Sequence, residues 1–213
     1  MRIKWFSLIR ITGLLLVLLY HFFQTIFPGG FFGVDVFFTF SGFLITSLLL
    51  EEFGKKSQID LLGFFKRRFY RIVPPVVLMV LVTMPFTLLV RQDYVAGIGG
   101  QIAGVFGFVT NFYEMLTGGS YESQFIPHLF VHNWSLAVEV HYYILWGLAV
   151  WFLSKRSKSS SQLRGTVFLL SAGAFILSFF SMFIGSLMAS SYSSVYFSSL
   201  TQDRKSTRLN SSH

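Results

Sequence analysis

The chain has 213 residues, 53% of them hydrophobic and only 12% charged, with 27 phenylalanines, a profile that excludes an ordinary soluble domain. It contains no cysteine, which removes disulfides and thiolate chemistry from consideration. The formal charge of +8 sits in short loops between apolar stretches, a pattern that reports membrane orientation and gives no reason to expect a nucleic-acid partner.

Apolar stretches near the twenty or so residues needed to cross a bilayer occur at 8–27, 31–50, 73–90, 134–153 and 166–188, with a weaker one at 97–116. The expected fold is an all-α polytopic integral membrane protein, a truncated bundle of about five or six transmembrane helices. The first stretch follows Arg2 and Lys4, is too long for a signal-peptide core and lacks a small-residue cleavage site, so it reads as an uncleaved anchor. Within it His21 comes eleven residues after Arg10, which on a helix returns both to one face about 16 Å apart. Asp35 follows just beyond the Pro28-Gly29-Gly30 turn, so a tight helical hairpin brings it to the depth of His21, where the two can pair. Ionisable groups at membrane depth cost several kcal/mol unless paired or hydrated, which makes them candidates for function. A plainer reading has Asp35 capping a helix end. In the second stretch Gly33, Ser41 and Gly42 suit close helix packing.

Residues 51–72 carry Lys55, Lys56, Lys66, Arg67, Arg68 and Arg71, and the stretch at 134–153 is followed by Lys155, Arg156, Lys158 and Arg164. Both loops, and the amino terminus, are expected in the cytosol. Three crossings between Ile72 and Ser154 contradict that, and 97–116 is the suspect. Gly97, Gly99, Gly100, Gly104 and Gly107 weaken a helix there, while Gln101 and Asn111 need partners. It is either re-entrant or protein-buried, or an ordinary helix whose glycines allow close packing. Pro74 and Pro75 predict the start of the third helix. His128 and His132 follow Pro127, so a regular helix is not expected around them. Residues 157–162 read as a flexible cytosolic loop.

The run from Lys66 to Arg71 places four cations at one membrane edge, with Arg68 and Arg71 sharing a helix face. Planar guanidinium donors match phosphate oxygens, so a coenzyme A thioester is a natural ligand. Composition alone favours a plain anchor for anionic headgroups. Glu139 lies inside the stretch at 134–153, where a carboxylate needs a partner or water and burial tunes it towards proton transfer. Trp134, Tyr142 and Tyr143 read as an interfacial aromatic belt. His128, His132, Glu139 and His141 lack an H-E-x-x-H arrangement, and no metal site is expected. Ser135 has no base beside it in sequence and is not taken as a nucleophile. Residues 203–213 resemble the translation of a sequencing adapter and are set aside from the domain, 1–202. Without their three basic and one acidic residues the charge falls from +8 to +6.

Four motifs in order resemble acyltransferase family 3, the polytopic membrane O-acyltransferases. They are Arg10 with ten residues before His21, Gly30-Phe31-Phe32-Gly33-Val34-Asp35 leading to Ser41-Gly42-Phe43, Arg68-x-x-Arg71-Ile72-x-Pro74, and Trp134-Ser135-Leu136 with Glu139. The resemblance covers residues 1 to about 190 and is closest to the peptidoglycan O-acetyltransferases of Gram-positive bacteria. Where the family commonly has Glu-Glu-Gln-Phe-Tyr, this chain has Glu139-Val140-His141-Tyr142-Tyr143, so only Glu139 inherits a carboxylate's role.

The resemblance implies a multi-pass protein of the bacterial cell membrane that passes acetyl from cytosolic acetyl-CoA to an extracytoplasmic sugar hydroxyl, muramic acid in the cell-wall glycan. Arg68 and Arg71 then hold coenzyme phosphates and Arg10 guides the donor. His21 acts as general base or transient acyl carrier, Asp35 fixes its tautomer, and Glu139 serves proton transfer or the acceptor side. Membrane lipid, further carboxy-terminal spans and an extracytoplasmic hydrolase-like domain are the expected surroundings, and the fragment alone is expected to be inactive. A proton-coupled transporter or lipid-handling protein using the same His and Asp is the alternative.

Overall fold

The computed structural model describes residues 4–23, 25–87, 97–117 and 128–188. The adapter-like tail at 203–213, Pro127 and the end of the stretch at 73–90 lie outside the described residues. Among the described residues seven α-helices follow in chain order: α1 Lys4–Phe22, α2 Phe32–Lys56, α3 Leu61–Thr87, α4 Ile98–Phe106, α5 Thr110–Thr117, α6 Trp134–Arg156 and α7 Ser160–Met188. Among the described residues there is no strand, as the all-α expectation required. Of these helices α2, α3, α6 and α7 hold segments long and apolar enough to cross a membrane, and Leu8–Phe22 of α1 is a shorter apolar segment. The chain divides into two units, Met1–Ile59 and Asp60–His213.

The first unit is a helical hairpin. A 3₁₀ turn at Pro28–Phe31 joins α1 to α2, and three glycines let the helices touch backbone to backbone. A Cβ added to Gly33 would lie 2.5 Å from the Gly13 carbonyl oxygen and 2.8 Å from Val17 Cγ2, and one added to Gly30 would collide with the Leu16 carbonyl. Small residues at such a crossing are what dispersion-driven packing in lipid needs.

In the second unit α3 begins at Leu61, well before the expected start near residue 73. Asp60 is the reason. Its Oδ1 accepts the Gly63 backbone N–H at 2.9 Å, the bond of an N-cap to one of a helix's orphan donors. The basic run is therefore helical, and Pro74 and Pro75 lie inside α3 instead of opening it. Each lacks the N–H that a helix normally donates four residues back, here to Tyr70 and Arg71. The loop expected at 157–162 is likewise shortened, because Ser159 Oγ accepts the Gln162 N–H and Gln162 Oε1 accepts the Lys158 N–H. With Ser159 as the cap, α7 starts at Ser160.

The stretch at 97–116 is broken. Val109 N–H returns to the Gly104 carbonyl at 2.8 Å and Phe108 N–H to Val105 at 3.1 Å, a Schellman ending for α4. Phe108 takes the left-handed position at φ 52°, a conformation that costs a non-glycine residue about 1–2 kcal/mol. Helices of nine and eight residues reach about 14 and 12 Å, far short of a bilayer's roughly 30 Å core. The continuous-helix reading is thereby excluded. Among the described residues between Ile72 and Ser154, two long helices remain, α3 and α6. The core of this unit joins Val76 and Val80 of α3 to Val105 of α4 and to Phe130.

Candidate functional site

In the hairpin α1 is one continuous helix from Lys4 to Phe22, so Arg10 and His21 share a face as their spacing requires. Arg10 is half-buried, its guanidinium carbon 5.0 Å from the centre of the buried Phe40 ring on α2. His21 stands in the last turn of α1 and Asp35 in the first turn of α2, which brings both to the same end of the hairpin. His21 is exposed and Asp35 half-buried. His21 Nδ1 lies 2.8 Å from the Val17 carbonyl oxygen. A carbonyl can only accept, so Nδ1 carries a proton and the neutral ring has its lone pair on Nε2. The Tyr20 ring stands edge-on to the imidazole at 5.5 Å.

In the second unit α3 and α6 assemble a different group. Arg68 is only 9% exposed, with its guanidinium carbon 5.6 Å from the Phe64 ring centre and 5.5 Å from that of Tyr143. Ring faces engage the flat surface of a guanidinium and leave its in-plane N–H groups for anions. Gly147, one helical turn beyond Tyr143, packs closely on the same ring, since a Cβ there would lie 3.1 Å from Phe64 Cε1. The Tyr143 hydroxyl donates a hydrogen bond to Glu139 Oε1. Arg71 is exposed, as are Lys66 and Arg67, so of the four cations only Arg68 turns inward.

The aromatic-belt reading is corrected here. Trp134 and Tyr143 are 4% and 7% exposed, buried in protein, while Tyr142 stacks on Trp146 at 5.8 Å. The i, i+4 spacing of Glu139 and Tyr143 was the available signal, because it places a phenol one turn from a carboxylate.

A third polar group, unforeseen in the sequence, fills the α4–α5 corner. Glu114 is 2% exposed and both its carboxylate oxygens lie 2.9 Å from His128 Nδ1. Burial holds its carboxyl above the usual carboxylate range, against the downward pull of His128. Gln101 Oε1 accepts the Phe130 N–H at 3.3 Å. The His141 ring lies 5.4 Å from that of Phe112. The histidines thus go to different neighbours, and among the described residues no three metal-ligating side chains gather. Glu114→Ala leaves His128 facing a void and is expected to destabilise the protein by about 1–3 kcal/mol, read as a lowered thermal midpoint in detergent. An unchanged midpoint would show the pair to be unimportant to the corner.

A family model described as an Acyltransferase domain matches residues 3–203. The chain is 34% identical to O-acetyltransferase OatA of Staphylococcus aureus (strain NCTC 8325 / PS 47) over 163 residues, 76% of this chain and 27% of that protein. It is 36% identical over 136 residues to Putative O-acetyltransferase SACOL0978 of Staphylococcus aureus (strain COL), covering 64% of this chain and 22% of that protein. The chain therefore spans about a quarter of the length of the curated relatives it matches. No solved structure matches it.

Proposed function

The chain belongs to the Acyltransferase domain family, and from that premise we propose that it transfers acetyl from cytosolic acetyl-CoA to an extracytoplasmic sugar hydroxyl, muramic acid of peptidoglycan being the favoured acceptor. The names of its relatives support O-acetyl transfer. The observation that carries the reading is the hairpin end, where an imidazole with Nδ1 tied to a carbonyl shares one end of two helices with a carboxylate. In this reaction Nε2 of His21 takes the proton of the acceptor hydroxyl as its oxygen attacks the thioester carbonyl. The tetrahedral intermediate collapses, the C–S bond breaks, and the departing thiolate receives that proton. Asp35 favours the imidazolium formed on the way.

Arg68 and Arg71 fit the donor's phosphates, the first as a buried, ring-held guanidinium and the second as an exposed one on the same helix. Arg10 guides the donor, and Glu139 serves proton transfer or the acceptor side. The amino terminus lies in the cytosol, consistent with basic residues at Lys55, Lys56, Lys155 and Arg156. Arg68→Ala is expected to raise the KM for acetyl-CoA about tenfold or more, the value of a lost charge-assisted hydrogen bond, with a smaller effect on kcat. Acetyl-CoA affinity that depends on neither Arg68 nor Arg71 would contradict the assignment and favour a transporter.

A further inference from the structure

The polar group between α3 and α6 forms a continuous chain of contacts from Phe64 through Arg68 and Tyr143 to Glu139. Each link has a distinct chemistry. Phe64 and Tyr143 hold the guanidinium by ring surface, which needs no hydroxyl. The Tyr143 hydroxyl bonds the carboxylate, which needs no ring. A tyrosine serving as a membrane-interface anchor would keep its hydroxyl at the headgroups; this one is 7% exposed and donates to Glu139.

We propose that Tyr143 is a positioning residue that ties the Glu139 carboxylate to the ring holding Arg68, so that the donor-binding cation on α3 and the carboxylate on α6 act as one unit. The inference rests on the reading of Arg68 as a donor-binding residue. Because one side chain makes two separable contacts, two substitutions part them. Tyr143→Phe keeps the ring under Arg68 and removes the link to Glu139; Tyr143→Leu removes both.

The test is steady-state acetyl transfer by the full protein, purified in detergent, across pH. Tyr143→Phe is expected to leave the KM for acetyl-CoA within about threefold and to lower kcat about tenfold, the scale of one hydrogen bond to a charged group, with a shifted pH profile of kcat. Adding Glu139→Gln to Tyr143→Phe is expected to cost no more than Glu139→Gln alone, the non-additivity of two groups in one contact. Tyr143→Leu is expected to raise the KM as Arg68→Ala does; should it not fold, the phenylalanine comparison alone decides. If Tyr143→Phe lowers only thermal stability while kcat, KM and the pH profile of the folded protein stay at wild type, the inference is overturned and the donor reading stands. If Arg68→Ala and Glu139→Gln are also silent, the donor reading itself fails and the inference with it.

Discussion

His21→Ala in the full protein is expected to remove cell-wall O-acetylation, leaving ester-linked acetate at or below about one hundredth of wild type. A positioned general base contributes about 10²–10⁴-fold to rate, and alanine can neither accept the acceptor's proton nor return it. The substitution carries little structural cost: the ring is exposed, and its Nδ1 bonds a carbonyl of its own helix. Folding and membrane insertion are therefore expected to survive, so lost activity reports chemistry. Asp35→Asn is expected to fall between His21→Ala and wild type, because an amide keeps a polar contact at the start of α2 but not the charge that favours imidazolium. Unchanged ester content in the His21 variant would remove that residue from the mechanism.

Gly33→Val is expected to reduce activity nearly as far by a different route. A Cβ at this position would lie 2.5 Å from the Gly13 carbonyl oxygen and 2.8 Å from Val17 Cγ2, and the first of these is backbone that cannot rotate away. The helices must part, at about 1–3 kcal/mol for overpacking a close crossing, and the turn that carries Asp35 moves relative to the turn that carries His21. Gly29→Ala is the matched control, since a Cβ there meets nothing nearer than the Phe32 ring at 3.9 Å. Measuring thermal midpoint and ester content together separates the two. The expectation is a lowered midpoint and lost activity for Gly33→Val, with neither for Gly29→Ala. Wild-type activity in Gly33→Val would show that the hairpin crossing does not set the site.

The hairpin was legible because its determinants are local. Pro28-Gly29-Gly30 fixes the turn, and the spacing of Arg10, His21 and Asp35 along two adjoining helices needs only helical period and a reversal. The break in 97–116 was legible in part: five glycines and an odd crossing count pointed to it, but not to Phe108, since no residue type announces a phenylalanine at positive φ. Two helix starts, at Leu61 and Ser160, carry short-range signals. Asp60, three residues before Gly63, and Ser159, three before Gln162, are capping patterns. The Glu114–His128 pair and the Arg68–Tyr143 contact were not readable, because they depend on how separate helices pack. Arg68 looked like one of four equivalent edge cations until α6 supplied the tyrosine that turns it inward.

The most direct test of the proposed mechanism is transfer of labelled acetyl from acetyl-CoA to a muramic-acid glycan by the purified full protein, comparing wild type with His21→Ala at saturating donor. The variant is expected to bind acetyl-CoA still, through Arg68 and Arg71, but to yield no labelled ester above background. Transfer at the wild-type rate by His21→Ala would contradict the mechanism.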